Sequence, residues 1–445
     1  MLHLCQIIYR FLCSSIFICF LTLHRNQSKL VPIYPFSNFQ QLVLDTERKT
    51  WRKRQHDDSD IFQTKYFDMG TSGRGNNWSH GFLEESKLDQ ILDSFRRLAE
   101  ASFRYDGCMI THSLAGGTGS GLGSRMALEL RDLYPKNYIM SCSFAPFSSG
   151  ETALQNYNAL LTLASLQSSA DFIGVFSNDA ILNTVTKQLG LDSSRNTPCV
   201  SIDTLNYWAS QTLAGIMLPI SPVSLDPINF CDNSLNRYTG QESNKVVVSD
   251  SVKPFSGWDL ITRVTPMPSM KLAMFSSSQS IYTASKNIPK HAHTIDSWED
   301  HFTQLHRNMS LPVGHRRNCI GAQLNIRGVQ GVEFWKRWPE MQSKWLLKLG
   351  LSTPNTCLDV RMSYIYGLDM HSKQRSLDLC YNSDDIVPIV KKVYDQALHM
   401  YSQRAYVHWY ERYMQSRTDE MFSESFEAVN SILDSYSTLS TNHLL

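Results

Sequence analysis

The stretch Leu114-Ala115-Gly116-Gly117-Thr118-Gly119-Ser120-Gly121 is the part of the chain from which the fold follows. Upstream, Cys108 to His112 is a short strand candidate; downstream, Leu122, Met126, Leu130 and Leu133 mark a helix stopped at Pro135. Glycines between a strand and a helix let backbone N–H groups approach an anion without a Cβ clash, and the helix start adds its positive dipole end. Phosphate is the ligand class this predicts, with a merely flexible turn as the alternative. The stretch has neither the G-x-x-x-x-G-K-[ST] register of a P-loop nor the G-x-G-x-x-G dinucleotide fingerprint.

Outward from the loop the pattern repeats. Leu88, Ile91, Leu92, Phe95 and Leu98 share one face of a helix. Strand candidates Tyr138 to Phe144 and Phe172 to Phe176 flank a helix around Glu151 to Gln167, Asp179 to Leu189 reads as the next helix, and an apolar helix from Thr204 to Leu218 ends before Pro219 as a spine behind the sheet. Repeated βα units predict a parallel sheet covered by helices. From Ser221 to Gly257 the chain turns loop-rich. Strands near Lys271 to Phe275, Cys319 to Asn325 and Leu358 to Ile365 follow, with helices near Ile295 to Arg307, Ile389 to Ser402 and Ala405 to Tyr436. A second small-residue loop, Gly70-Thr71-Ser72-Gly73-Arg74-Gly75-Asn76-Asn77-Trp78, is suited to the opposite side of a triphosphate, or is a surface turn. Asp45 and Glu47 follow the apolar run Leu42-Val43-Leu44, where carboxylates hold Mg²⁺ through water or are simply solvated.

The 445 residues are 42% hydrophobic and 19% charged, an ordinary globular composition that excludes disorder as the main state. Lys+Arg 42 against Asp+Glu 41 leaves a net charge of +1, so neither nucleic acid nor an anionic membrane is the expected partner. Ten scattered cysteines with no CxxC pair fit a reducing compartment. The apolar head, Leu2 to Leu23, resembles a signal or anchor, but His3, Gln6 and Arg10 interrupt it, so a non-targeting segment is the favoured reading. His291 and His293 lack companions at metal-ligand spacing.

These segments together resemble the tubulin superfamily. Its G-G-G-T-G-S-G signature corresponds to Ala115-Gly116-Gly117-Thr118-Gly119-Ser120-Gly121, with alanine for one glycine, and its G-A-G-N-N-W loop to Gly73-Arg74-Gly75-Asn76-Asn77-Trp78. Leu42-Val43-Leu44-Asp45-Thr46-Glu47, Gln155-Asn156-Tyr157-Asn158, Ser177-Asn178-Asp179-Ala180 and Ala405-Tyr406-Val407-His408-Trp409-Tyr410 also match segments of the family, in family order. The delta class is the most similar, on Leu114 through Gly123, on Gln155 where α and β chains have glutamate, and on Asn325-Ile326-Arg327-Gly328.

The resemblance implies an α/β fold: a tubulin/FtsZ-like GTPase domain with a parallel sheet, an α+β intermediate domain and C-terminal helices. The expected divisions are 1–40, an atypical apolar extension; 41–218, the GTP-binding domain; 219–385, the intermediate domain; and 386–445, the C-terminal helical region. It implies GTP and Mg²⁺ as ligands. Gly75, Asn76, Gly116, Gly117, Thr118 and Gly119 would face phosphate, Glu151 and Gln155 the ribose, Asn178 and Asn206 the guanine edge, and Asp45 and Glu47 the metal or its waters. Ile202 falls where α and β chains place a base-stacking tyrosine. Asp259 is the candidate acid for hydrolysis, acting on a neighbouring subunit. The implied role is a structural cytoskeletal subunit of centrioles and basal bodies, at most a weak GTPase. Its expected partners are other tubulins, epsilon, alpha or beta chains among them, and centriolar proteins. Its expected place is the cytoplasm, the centrosome or centriole and the cilium base. Alternatives are a nucleotide-free tubulin-like interaction protein and a membrane-anchored protein. The chain departs from the pattern at its start: residues 1 to about 40 contain no glycine, so the family's first strand and G-Q-x-G-N-Q loop are expected to be missing, with GTP bound weakly or not at all.

Overall fold

A computed structural model describes residues 16–20, 39–45, 62–68, 73–85, 87–102, 105–150, 152–188, 200–218, 223–224, 247–248, 255–279, 297–309, 317–329, 332–351, 357–364 and 375–441. In chain order the strands are β1 (Ile16–Phe20), β2 (Phe39–Asp45), β3 (Phe62–Asp68), β4 (Gly107–Ser113), β5 (Tyr138–Ala145), β6 (Phe172–Ser177), β7 (Val223–Ser224), β8 (Val247–Val248), β9 (Leu272–Gln279), β10 (Cys319–Val329), β11 (Cys357–Tyr364) and β12 (Ser376–Ser383). All but β7 and β8 join one sheet in the order β11-β10-β12-β9-β6-β5-β4-β1-β2-β3. The helices are α1 (Trp78–Phe82), α2 (Leu88–Ala101), α3 (Gly123–Leu133), α4 (Gln155–Ser169), α5 (Asn178–Gln188), α6 (Ile202–Met217), α7 (Gly257–Val264), α8 (Trp298–Asn308), α9 (Val332–Lys348), α10 (Val387–Ser402), α11 (His408–Met414) and α12 (Thr418–Thr441).

Alternation along the central strands builds the layers. Ile139, Ile173 and Val175 enter a core shared with α2, α3, α4 and the C-terminal helices. Their neighbours Tyr138, Met140, Cys142, Phe172 and Phe176 enter a second core with α5, α6 and α7. A period of two places successive side chains on opposite faces, so a strand apolar at nearly every position must be covered on both. A third core lies under α8 and α9 against β10 and β12. The spine helix α6 is buried along most of its length from Leu205 to Met217 and is capped by the Ser201 hydroxyl, which accepts from the Thr204 N–H.

The doubly covered α/β sheet is present, but it is mixed. β4, β5, β6 and β9 run parallel, while β12 is antiparallel to both β9 and β10. Neither β12 nor α9 was anticipated from sequence. β12 sets Leu377, Leu379 and Tyr381 on one face and Asp378, Cys380 and Asn382 on the other, with Cys380 entering the second core, and α9 carries Pro339 inside the helix, which masks its helical pattern. The helix expected from Glu151 begins at Gln155, after a turn in which Gln155 N–H donates to the Thr152 carbonyl at 3.3 Å.

The head corrects another expectation. Its residues 16–20 do not leave the sheet centre empty: β1 pairs with β2 and β4, antiparallel to both, with Phe17 opposite Val43 and Thr111. Backbone N–H and C=O groups in mid-sheet need partners whatever direction supplies them, and this apolar five-residue run meets that need. Among the described residues no helix is long and apolar enough to cross a membrane.

Candidate functional site

Because β4, β5 and β6 are parallel, the turns after them meet at one edge of the sheet, the usual ligand-binding edge of open α/β sheets. β2 is antiparallel to β1 and therefore parallel to β4, so its last residue, Asp45, reaches the same edge. The glycine loop leaves β4 there and enters a π-helical turn over Thr118–Leu122 that continues into α3. Single π turns inside helices recur at functional sites.

The glycines of this loop do different work. A Cβ on Gly121 would overlap the Trp78 carbonyl oxygen, one on Gly117 would come within 2.8 Å of the Arg74 carbonyl, and one on Gly119 within 2.9 Å of the Ser113 backbone. These three let the loop press against β4 and against the 74–78 segment. At Gly116 a Cβ would meet nothing nearer than Asn76 Oδ1 at 3.9 Å. Gly116 is thus the glycine whose Cβ-free face is open to a ligand, and Gly117, Thr118 and Gly119 are buried beneath it.

The second loop lies alongside. Asn77 N–H donates to the Arg74 carbonyl at 3.1 Å, with Gly75 and Asn76 between them at φ +57° and +48°. Two successive positive φ values make a tight reversal that glycine and asparagine tolerate best, and it leaves both residues exposed. Asn77 then caps α1, accepting from the His80 N–H at 3.3 Å and donating through Nδ2 to the Trp409 carbonyl at 3.0 Å. Trp78 Nε1 donates to Ser124 Oγ at 3.1 Å and fastens α1 to α3.

Between the loops sits Asn158, a fully buried residue of α4. Its Oδ1 accepts from Trp78 N–H at 2.9 Å and from the Tyr410 hydroxyl at 2.7 Å. Its Nδ2 donates to the carbonyls of Asn76 and Ala115, each at 2.7 Å. The partners fix the amide orientation, since a backbone N–H needs an oxygen and carbonyls need the NH₂. Asn158 belongs to the Gln155-to-Asn158 motif, yet sequence reasoning gives it no role. The available signal is an amide next to the apolar run Ala159-Leu160-Leu161, on the side of the helix that is buried, where it must find partners.

The ribose and base candidates lie on the neighbouring turns. Gln155 is buried and donates to the Phe147 carbonyl at 3.4 Å, closing the turn that ends in Gly150 at φ +79°. The same turn is tied to α5, where Asp179 accepts from the Ser148 N–H at 2.9 Å and from its hydroxyl, a contact that sequence reasoning misses. Asn178 is the first residue of α5 and half-buried; Asn206 lies in the second turn of α6, buried, and α6 packs on α5. Ile202 opens α6 and is 57% exposed. Glu151 and Glu47, residues 70–72 and His291 and His293 lie outside the described residues, as does the side chain of Asp45. Among the described residues no group of three or more His, Cys, Asp or Glu is placed to hold a metal.

Asp259 is not brought to this site. It lies in the first turn of α7, whose Gly257 packs on the ring of Tyr138, the first residue of β5, with Trp258 edge-on to the same ring at 5.7 Å. That is the opposite edge of the sheet. Asp259 is exposed there, 3.7 Å from Arg361.

Beneath the glycine loop His112 is fully buried on β4, 2.9 Å from Ser141 Oγ, and burial pushes its pKa down to about 4. The ring is neutral at physiological pH, so the floor of the loop carries no charge.

Comparison with known proteins agrees with this architecture. Residues 14–186 match the Tubulin/FtsZ family, GTPase domain. Tubulin beta chain of Schizophyllum commune is 27% identical over 382 residues, covering 84% of this chain and 76% of its own length. Tubulin beta-6 chain of Gossypium hirsutum is 26% identical over 387 residues, covering 84% and 75%. The chain therefore carries the Tubulin/FtsZ GTPase-domain fold, and its relatives lie in the tubulin superfamily.

Proposed function

We propose that this chain is a delta-type tubulin, a structural cytoskeletal subunit of centrioles and basal bodies with an inherited guanine-nucleotide site of low affinity. The observation that carries the reading is the pairing of the 73–78 and 114–121 loops at the edge where parallel strands end, with Gly116, Gly75 and Asn76 as their open members. In this reading Gly116 presents the open face to phosphate, with Gly117, Thr118 and Gly119 packed behind it to shape the cradle, Gly75 and Asn76 face its terminal group, Glu151 and Gln155 stand near the ribose, and Asn178 and Asn206 read the base. Asp45 and Glu47 are the proposed magnesium side; the ion, when bound, neutralises phosphate charge. The delta assignment rests on Gln155, on Leu114 through Gly123 and on Asn325 to Gly328. Other tubulins, epsilon, alpha or beta chains, and centriolar proteins are the proposed partners.

The direction of β1 supports low affinity. A strand parallel to β4 would deliver the residues after it to the site; β1 runs the other way, so its C-terminal end, Phe20, lies at the far edge. The same observation favours a second reading, a tubulin-shaped protein that works without nucleotide. In this reading the exposed Asp259 at the far edge is the acid offered to a neighbouring molecule's site, and hydrolysis belongs to an assembly. Purification of the chain, acid release of bound nucleotide and a GTP titration test the proposal. Substoichiometric GTP with saturable weak binding is expected. Stoichiometric tight GTP would sink the low-affinity clause, and no saturable binding would leave the nucleotide-free reading. Failure of the tagged chain to concentrate at centrioles would remove the delta assignment.

A further inference from the structure

We infer that Asn158 is the positioning residue of the candidate phosphate site, setting the spacing of its two loops and coupling them to α11 through Tyr410. The inference deepens the nucleotide reading and rests on it for the ligand alone. All four hydrogen-bonding positions of the amide are used, at 2.7 to 2.9 Å, and each goes to a different residue: Asn76, Trp78, Ala115 and Tyr410. Asn76 and Ala115 flank the open face of Gly116, so the two carbonyls held by one NH₂ group determine how far apart the loops stand.

Tyr410 is fully buried, and its hydroxyl shares Oδ1 with the N–H that opens α1. A second tie runs in parallel from Asn77 Nδ2 to the Trp409 carbonyl. A shift of the 73–78 segment must therefore move or break its bond to Trp409 of α11, and a shift of the glycine loop is transmitted to α11 through Asn158 and Tyr410. By linkage, anything that fixes the loops also fixes α11, and the converse. Buried networks of this kind are rigid because an unpaired member costs more than a formed pair contributes.

The test is amide hydrogen exchange on the full chain, with and without GTP, for Tyr410→Phe and Asn158→Asp. Tyr410→Phe keeps the ring and removes one hydrogen bond; roughly fivefold faster exchange is expected in both residues 73–82 and 113–124, remote from the substituted position in sequence. The GTP dissociation constant, read with GTP itself, is expected to rise by about the same factor. GTP should slow exchange in residues 408–414 of the unaltered chain, and that response should vanish in Tyr410→Phe. A residue that only stabilises the fold would leave the GTP response of α11 unchanged. Asn158→Asp keeps the shape but replaces both donors with acceptors facing carbonyls, and a larger loss is expected; if it does not fold, Tyr410→Phe still decides. Faster exchange confined to α11, or an unchanged GTP response there, overturns the inference. If the unaltered chain binds no GTP, the nucleotide reading falls by itself, and exchange in the two loops of Tyr410→Phe still decides whether the coupling exists.

Discussion

On one side of β4, β5 and β6 run parallel to it, and the turns after them bring Gln155, Asp179 and Asn178 to the edge where the glycine loop lies. On the other side β1 runs against β4, and its last residue, Phe20, points the chain toward the opposite edge. Both flanks satisfy the backbone of β4. Sheet hydrogen bonding is indifferent to which direction completes it, to first order, whereas a ligand site at the strand ends is not. A sheet of this class can therefore be whole while the strand beside the glycine loop on one flank, β1, sends its following residues away from the site edge that β2, β5 and β6 reach.

The largest effect is expected on the built flank. Gly121→Ala drives a Cβ into the Trp78 carbonyl, a backbone atom that cannot swing aside, and should cost roughly 3 kcal/mol or more of stability. Chemical denaturation reads it; an unchanged midpoint would mean that α1 does not pack on the loop as described.

Next comes acid. His112 has its pKa lowered by burial from 6.5 to about 4, so between those values the unfolded chain binds a proton that the folded chain does not. The contribution is complete above pH 6.5 and declines as pH falls toward 4, by roughly 3 kcal/mol in all. Denaturation at stepped pH should show this slope, and His112→Gln should flatten it.

Rebuilding the other flank is the third. Replacing residues 1–38 by a strand that runs parallel to β4 and ends in a G-Q-x-G-N-Q loop should tighten GTP binding about tenfold to a hundredfold, on the order of 1.4 to 2.7 kcal/mol. No gain would mean that the reversed strand is not what limits the site. The smallest stability effect belongs to Gly116→Ala, whose Cβ has room, so the folded state should change by less than about 0.5 kcal/mol. Its GTP affinity should nonetheless fall about tenfold, because the methyl enters the ligand's side. A variant equally unstable and equally weak would erase the distinction between Gly116 and Gly121.

Legibility in the sequence differs from one element to the next. The glycine loop, the amphipathic α2 and the apolar α6 are local patterns, and they appear where periodicity and punctuation place them. The 73–78 loop is legible as small residues and amides, but its pairing with the 114–121 loop is not. Asn158 is visible as an amide among leucines, without a hint that its partners lie 43 to 252 positions away. β12 has a short alternation that is easily missed, and α9 is obscured by Pro339.

Composition and local pattern alone determined a neutral, globular α/β chain with a phosphate-suited loop between strand and helix, because propensity, glycine permissiveness and apolar period act over a few residues. Only the tertiary structure decided which glycine faces outward, which amide binds the loops together, and that the apolar head enters the sheet in reverse. Those are questions of which distant backbone lies against which, and strand direction in particular is set by the connection between strands rather than by the residues within them.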